Sequence, residues 1–330
     1  MLFSPPLVSW STHLRRILSV YLSPRRSPLA FWYETPEVNE RAFSKEVGEY
    51  YMTFRGKAEY AGPFDETGVP LLDYRGDIGR QYNPIAIAQY GLASYNSYKQ
   101  ASDPARRAAF LRAADWLVEH LEENPSGLRV WHHHFDWPYR ETLVAPWYSG
   151  LAQGQGISLL IRAALDTGRA EYEQAAVVAF SSFTADVKNG GVVVRDPRGF
   201  LWIEEYLVDP PSHILNGFIW ALWGIYDFAR WSGDPRAQEI FNESLETLTE
   251  NLARYDIASW SLYELSDTGP RMLASPYYHR LHVVQLKVLY RLTGREVFGR
   301  FAERWDGYAK NPALRTWALA RKAWFKLRHY

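Results

Sequence analysis

The chain has 330 residues with 37 basic and 37 acidic side chains, so it carries no formal net charge and lacks the global attraction to phosphate on which nucleic-acid binding depends. Its 47% hydrophobic and 22% charged content is that of a globular protein of one large or two ordinary domains, and it excludes extended disorder, collagen and coiled coil. Cysteine is absent and aromatic residues make up 16%; thiolate nucleophiles, thiolate metal sites and disulfides are therefore excluded, whereas rings that fill a core or stack on sugars are abundant.

Residues 1–26 read as a surface arm whose apolar run, 17–22, is too short for an ordinary secretory signal core. No stretch reaches the roughly 20 apolar residues of a membrane span. Localisation stays open on this reading, with the cytoplasm favoured. Residues 50–74 alternate aromatic and β-branched stretches with turn residues at Gly56, Gly62-Pro63 and 66–68, which predicts one or two β-hairpins. An N-terminal arm and β-rich extension over 1–83 thus precedes a second domain over 84–330.

That second part is helical. One segment runs from Pro84 to about Lys99, and Asp103-Pro104 supplies an N-cap and first-turn proline for the next. Further helices are predicted at 147–168, 170–187, 212–232, 235–254, 276–293, 296–309 and 312–328, with Gly168, Gly233 and Gly294 where C-terminal caps belong. Successive antiparallel pairs without a strict repeat period fit a mainly α fold, an α/α barrel built as an incomplete toroid of helical hairpins, better than a solenoid. Two interruptions, an extended segment at 129–140 and a hairpin at 190–207 turning at Asp196–Gly199, are expected at one rim, where binding residues are readily presented.

Several residues on this frame carry chemistry. His132, His133 and His134 invite a metal, but adjacent strand residues point to opposite faces and do not converge on one ion, so no metal is assigned. The glycines of 154–158 lack the spacing of a phosphate loop and read as sites of close helix packing. In the run 202–206, period-two alternation puts Glu205 with Ile203 and Leu207, and Glu204 with Tyr206. One of the two carboxylates is then dehydrated, with a raised pKa suited to proton transfer; a surface hairpin with two solvated glutamates is the competing reading. Ser275 and Pro276 cap a helix that carries Tyr278, His282 and Gln285 as a polar stripe. The helix dipole there favours a Tyr278 phenolate, unless the aromatics only staple the helix to its neighbour.

Seven blocks in one order, GVP at 68–70, YNPIAIAQYGL at 82–92, WYSGLAQGQGIS at 147–158, EEY at 204–206, ILNGF at 214–218, ASWSLYEL at 258–265 and YYHRLH at 277–282, resemble the D-glucuronyl C5-epimerase family, whose members act on heparosan or heparan sulfate precursors. The resemblance implies a helical-barrel enzyme that inverts C5 of a uronate inside a polysaccharide, without redox or nucleotide cofactor. Glu205, Tyr206, Tyr263 and Tyr278 fall on the family's catalytic positions, with Glu205 and Tyr278 as the opposed acid/base pair. Asn216, His279, Arg280, His282, Tyr82, Gln89 and Gln153 are read as substrate-binding positions. Animal members carry a β-sandwich and a calcium site between the second and third blocks. Only about 55 residues stand there in this chain, so calcium is not carried over, and Ser266 departs from an Arg common in the family. The implied partner is a uronate polysaccharide, with no nucleic acid and no membrane span; a homodimer is compatible with the chain. A polysaccharide lyase and a non-catalytic glycan-binding protein are the alternatives.

Overall fold

The computed structural model describes residues 31–74, 76–266, 268 and 271–329; the arm read from residues 1–26 lies outside them. Four helical hairpins form the body: α1 (Pro84–Ala101) with α2 (Pro104–Glu119), α3 (Gly150–Thr167) with α4 (Ala170–Phe180), α5 (Leu215–Ser232) with α6 (Pro235–Asn251), and α7 (Pro276–Thr293) with α8 (Glu296–Lys310). A further helix, α9 (Pro312–His329), packs on α8. Within each hairpin the linker is two residues, the first left-handed and the second extended: Ser102-Asp103, Gly168-Arg169, Gly233-Asp234 and Gly294-Arg295. Three of these left-handed positions are glycine, which alone adopts that conformation without a Cβ penalty.

The odd-numbered helices lie side by side in the order α1, α3, α5, α7 and the even-numbered ones pack outside them, giving an arc that does not close into a barrel. Close contact between the inner helices depends on small residues. A Cβ on Gly154 of α3 would lie 2.5 Å from the Ala221 Cα of α5, so the glycines of 154–158 do allow helices to approach. Further along the same pair, Arg162 and Asp227 form a fully buried ion pair at 2.6 Å, to which Ser158 and Tyr51 also donate. Removing one partner of such a pair costs about 3–5 kcal/mol. Arg162 Nε donates to Gly48 O, and Asn96 of α1 holds the Tyr50 and Met52 carbonyls, so the extension before α1 is pinned to the C-terminal halves of the inner helices and shares their core.

Because the inner helices run the same way and each outer helix returns, every connection between hairpins emerges at the N-terminal end of the next inner helix. The five two-stranded ladders among the described residues all lie in these segments or just before α1. The hairpin Val193–Arg195 with Leu201–Ile203 pairs Trp202 with Val194 across the expected turn. Two expectations are corrected. Residues 50–74 make no regular hairpin: Arg55–Ala58 is a helical turn, and the ladder pairs Leu72–Asp73 with Arg80–Gln81. The helix expected over 170–187 stops at Phe180 and continues as 3-10 turns at Ser181–Phe183 and Val187–Asn189.

Candidate active site

The strand that ends at Ile203 delivers Glu204, Glu205 and Tyr206 to the N-terminal ends of α3 and α5. Gly150 N of α3 donates to Glu204 O at 2.9 Å, which fixes the chain where it leaves the strand. Both carboxylates are buried, Glu204 at 1% and Glu205 at 5% exposure. This corrects the expectation that only one is dehydrated. What separates them is their partners. Glu204 accepts from Ser212 N (3.2 Å), His213 N (3.0 Å) and His213 Nδ1 (2.5 Å), so it clamps the loop leading into α5. Glu205 has a weak donor in Asn216 Nδ2 at 3.4 Å and a contact with the Tyr206 hydroxyl. Burial, opposed in part by the Tyr206 hydrogen bond and reinforced by the charges of Glu264 and Glu204, pushes its pKa up to about 8. Gly217 makes the room: a Cβ there would collide with the Glu205 carboxylate and lie 2.7 Å from the Glu205 Cβ.

Beyond the end of the strand, alternation no longer separates Glu205 from Tyr206, and both face one aromatic cluster. Tyr206, Tyr263, Tyr278 and Tyr139 gather around Ile214 and Ala274. The rings of Tyr263 and Tyr278 meet edge to face at 4.9 Å, and those of Tyr139 and Tyr206 are 4.7 Å apart. Tyr263 is held by its backbone, its N donating to Met272 O and its O accepting from Leu215 N of α5. Tyr278 stands in the first turn of α7, where Ser275 Oγ accepts from its backbone N. Burial raises the pKa of Tyr206, Tyr263 and Tyr278 well above 10, and the charge of the neighbouring Glu205 adds to it. The phenolate expected at Tyr278 from the helix dipole is thus overruled: desolvation outweighs the dipole and keeps the hydroxyl protonated.

The other sequence candidates divide. Asn216 bridges Glu205 and Gln285, its O accepting from Gln285 Nε2 at 2.9 Å. His279 and His282 turn away, both contacting Ser261 Oγ, with the His279 ring stacked on Trp260 at 3.8 Å; burial lowers the pKa of His279 to about 4. Arg280 is exposed. Tyr82, 37% exposed, donates to Asp65 and stacks near Trp116. Gln89 bonds Gln155, and Gln153 is buried. His132 and His134 both reach Glu122 Oε2 at 3.1 Å while His133 stacks on Trp147, as alternation requires, and among the described residues no group of three such side chains is arranged to hold a metal ion. Sequence reasoning missed Tyr139, Arg140 and Glu264. Tyr139 and Arg140 both donate to the buried Glu264, Arg140 Nη2 at 2.5 Å, which joins the hairpin Trp137–Pro138/Thr142–Leu143 to the Tyr263 segment. The run of aromatics at 131–139 was the available signal.

A buried carboxyl of raised pKa among protonated phenols, at the positive ends of helices in an open arc, is equipment for moving protons. Residues 126–307 match the family model described as D-glucuronyl C5-epimerase C-terminus, and the chain belongs to that family. It is similar to the D-glucuronyl C5-epimerase of Caenorhabditis elegans, 34% identical over 220 residues, which are 61% of this chain and 35% of the relative. The chain thus spans about a third of that relative's length. An uncharacterized protein of Methanocaldococcus jannaschii is 27% identical over 244 residues, 69% of this chain and 78% of that one. Solved structures with a similar course include cellobiose 2-epimerase from Spirochaeta thermophila (TM-score 0.49, 14% identity, 92% of this chain and 71% of that one). Another is unsaturated glucuronyl hydrolase from Bacillus sp. GL1 (TM-score 0.46, 17% identity, 68% and 61%).

Proposed function

We propose that the protein converts D-glucuronate to L-iduronate within a heparosan-like polysaccharide. The observation that carries this reading is the pairing of Glu205, its pKa raised to about 8, with the protonated Tyr278 and Tyr263 in one cluster. The C5 hydrogen of a uronate is α to a carboxylate, so its removal places a second negative charge on that group. The positive ends of α3, α5 and α7 and the neutral phenol O–H groups favour this charge. Glu205 takes or returns the proton on one face and Tyr278 serves the other; Tyr206 and Tyr263 hold these two by hydrogen bonds. The dehydrated carboxylate is a stronger base than an ordinary glutamate, which suits a weakly acidic C–H.

The test is incubation with heparosan in deuterium oxide, read by NMR for deuterium at C5 and for iduronate. Both should accumulate together. A product absorbing in the ultraviolet, with the C4 bond broken, would make the protein a lyase. Binding of the polymer without any C5 exchange would make it a glycan-binding protein.

A further inference from the structure

The inner faces of the arc carry a polar row outside the cluster just described. From α1 comes Gln89, from α3 Gln155, from α5 the stripe Asn216, Trp220 and Trp223, and from α7 Gln285, all buried. Protein bonds join some of them: Gln89 Nε2 donates to Gln155 Oε1 at 2.9 Å, and Gln285 Nε2 donates to Asn216 O at 2.9 Å. Yet Gln89 Oε1, Gln155 Nε2, Asn216 Oδ1, Trp220 Nε1, Trp223 Nε1 and Gln285 Oε1 find no partner among the described residues. The Tyr50 hydroxyl approaches Gln155 without a hydrogen bond of good geometry, and its ring meets Trp223 at 6.0 Å. Trp223, Trp220 and Asn216 then follow one another on one face of α5 at helical spacing, and Asn216 Nδ2 donates to Glu205. Folded proteins satisfy the large majority of buried side-chain polar atoms with protein or with internal water. These unpaired donors and acceptors on facing helices are complementary in kind and are groups that internal water can satisfy.

We propose that this row holds a file of internal waters ending at Asn216, and that the file is the route by which the Glu205 carboxyl exchanges its proton with solvent. The second half rests on the epimerase reading. Inversion leaves Glu205 with the proton taken from C5 and its opposite number short of one, and the enzyme must reset before the next turnover. Glu205 is almost fully buried even without polymer over it, so its proton needs an internal path. Enzymes turn over at about 1–10³ per second, which leaves time for internal waters to equilibrate with solvent through nanosecond-to-microsecond fluctuations. The amides do not titrate; they are positioning residues for the water.

High-resolution crystals of the wild-type protein without substrate test the first half. Ordered waters bonded to Gln155 Nε2, Gln89 Oε1 and Asn216 Oδ1 are expected, and a dry row with these groups repaired by protein partners overturns the proposal. The second half is read in deuterium oxide as the ratio of C5-deuterated glucuronate recovered to iduronate formed. This ratio reports how often Glu205 swaps its proton before handing it back. Gln155→Leu and Gln285→Leu should lower the ratio severalfold with KM little changed. A wild-type ratio in both folded variants would refute the path. Full C5 exchange by Glu205→Gln would instead sink the assignment of Glu205, and the proton path with it, whatever the crystals show.

Discussion

Glu205→Gln separates the two consequences of burying an acid. In the unfolded chain a glutamate titrates near 4.5, whereas burial raises this one to about 8. Between those values the folded protein holds a proton that the unfolded chain has released, so stability falls as pH rises through the window, by about 1.4 kcal/mol per pH unit. Across the whole window that approaches ~5 kcal/mol, an upper figure because the site relaxes and admits water. Glutamine cannot ionise. The variant should therefore match the wild type near pH 4, apart from a constant offset, and become several kcal/mol more stable than it above pH 8. Urea denaturation at half-unit pH intervals measures this directly. The same variant should lose epimerisation and C5 exchange by about 10²–10⁴-fold, and the wild-type kcat/KM should rise with pH towards about 8 as the base ionises. Parallel stability curves for the two proteins would refute the claim that burial holds the Glu205 proton.

Three further substitutions probe the surroundings. Glu204→Gln places an amide N–H against donors from Ser212 and His213, so a loss of about 1–3 kcal/mol of stability is expected, with measurable C5 exchange retained at low temperature. Complete loss of exchange in the folded variant would move the acid/base role to Glu204. Tyr278→Phe should lower kcat by about 10²-fold or more while KM barely changes; an equal effect on affinity would make it a binding residue. Gly217→Ala drives a Cβ into the Glu205 carboxylate and should cost about 1–3 kcal/mol by overpacking, together with most of the activity. A fully active variant would show that Glu205 need not lie against α5.

Local chemistry was legible in the chain alone because it acts within a turn or two. Ser275-Pro276 and Gly294 bracket α7 just where a cap, a first-turn proline and a left-handed glycine place its ends, and the alternation of His132, His133 and His134 holds. The ordered motif blocks marked Glu205, Tyr206, Tyr263 and Tyr278, and the structure gathers them at one end of the inner helices. A raised carboxyl pKa in the Glu204–Glu205 pair was legible, but which groups keep their protons was not. Whether Glu205 and Tyr278 hold their protons depends on desolvation, and that is set by groups far off in the chain; Tyr139 and Glu264, which meet at the edge of the site, are 125 residues apart. Two neighbouring glutamates on one strand look alike in sequence. Only the packing of the Ser212–His213 loop against one and of Gly217 against the other made the first a clamp and left the second with few donors, because the free energy of a buried charge depends on what surrounds it in space.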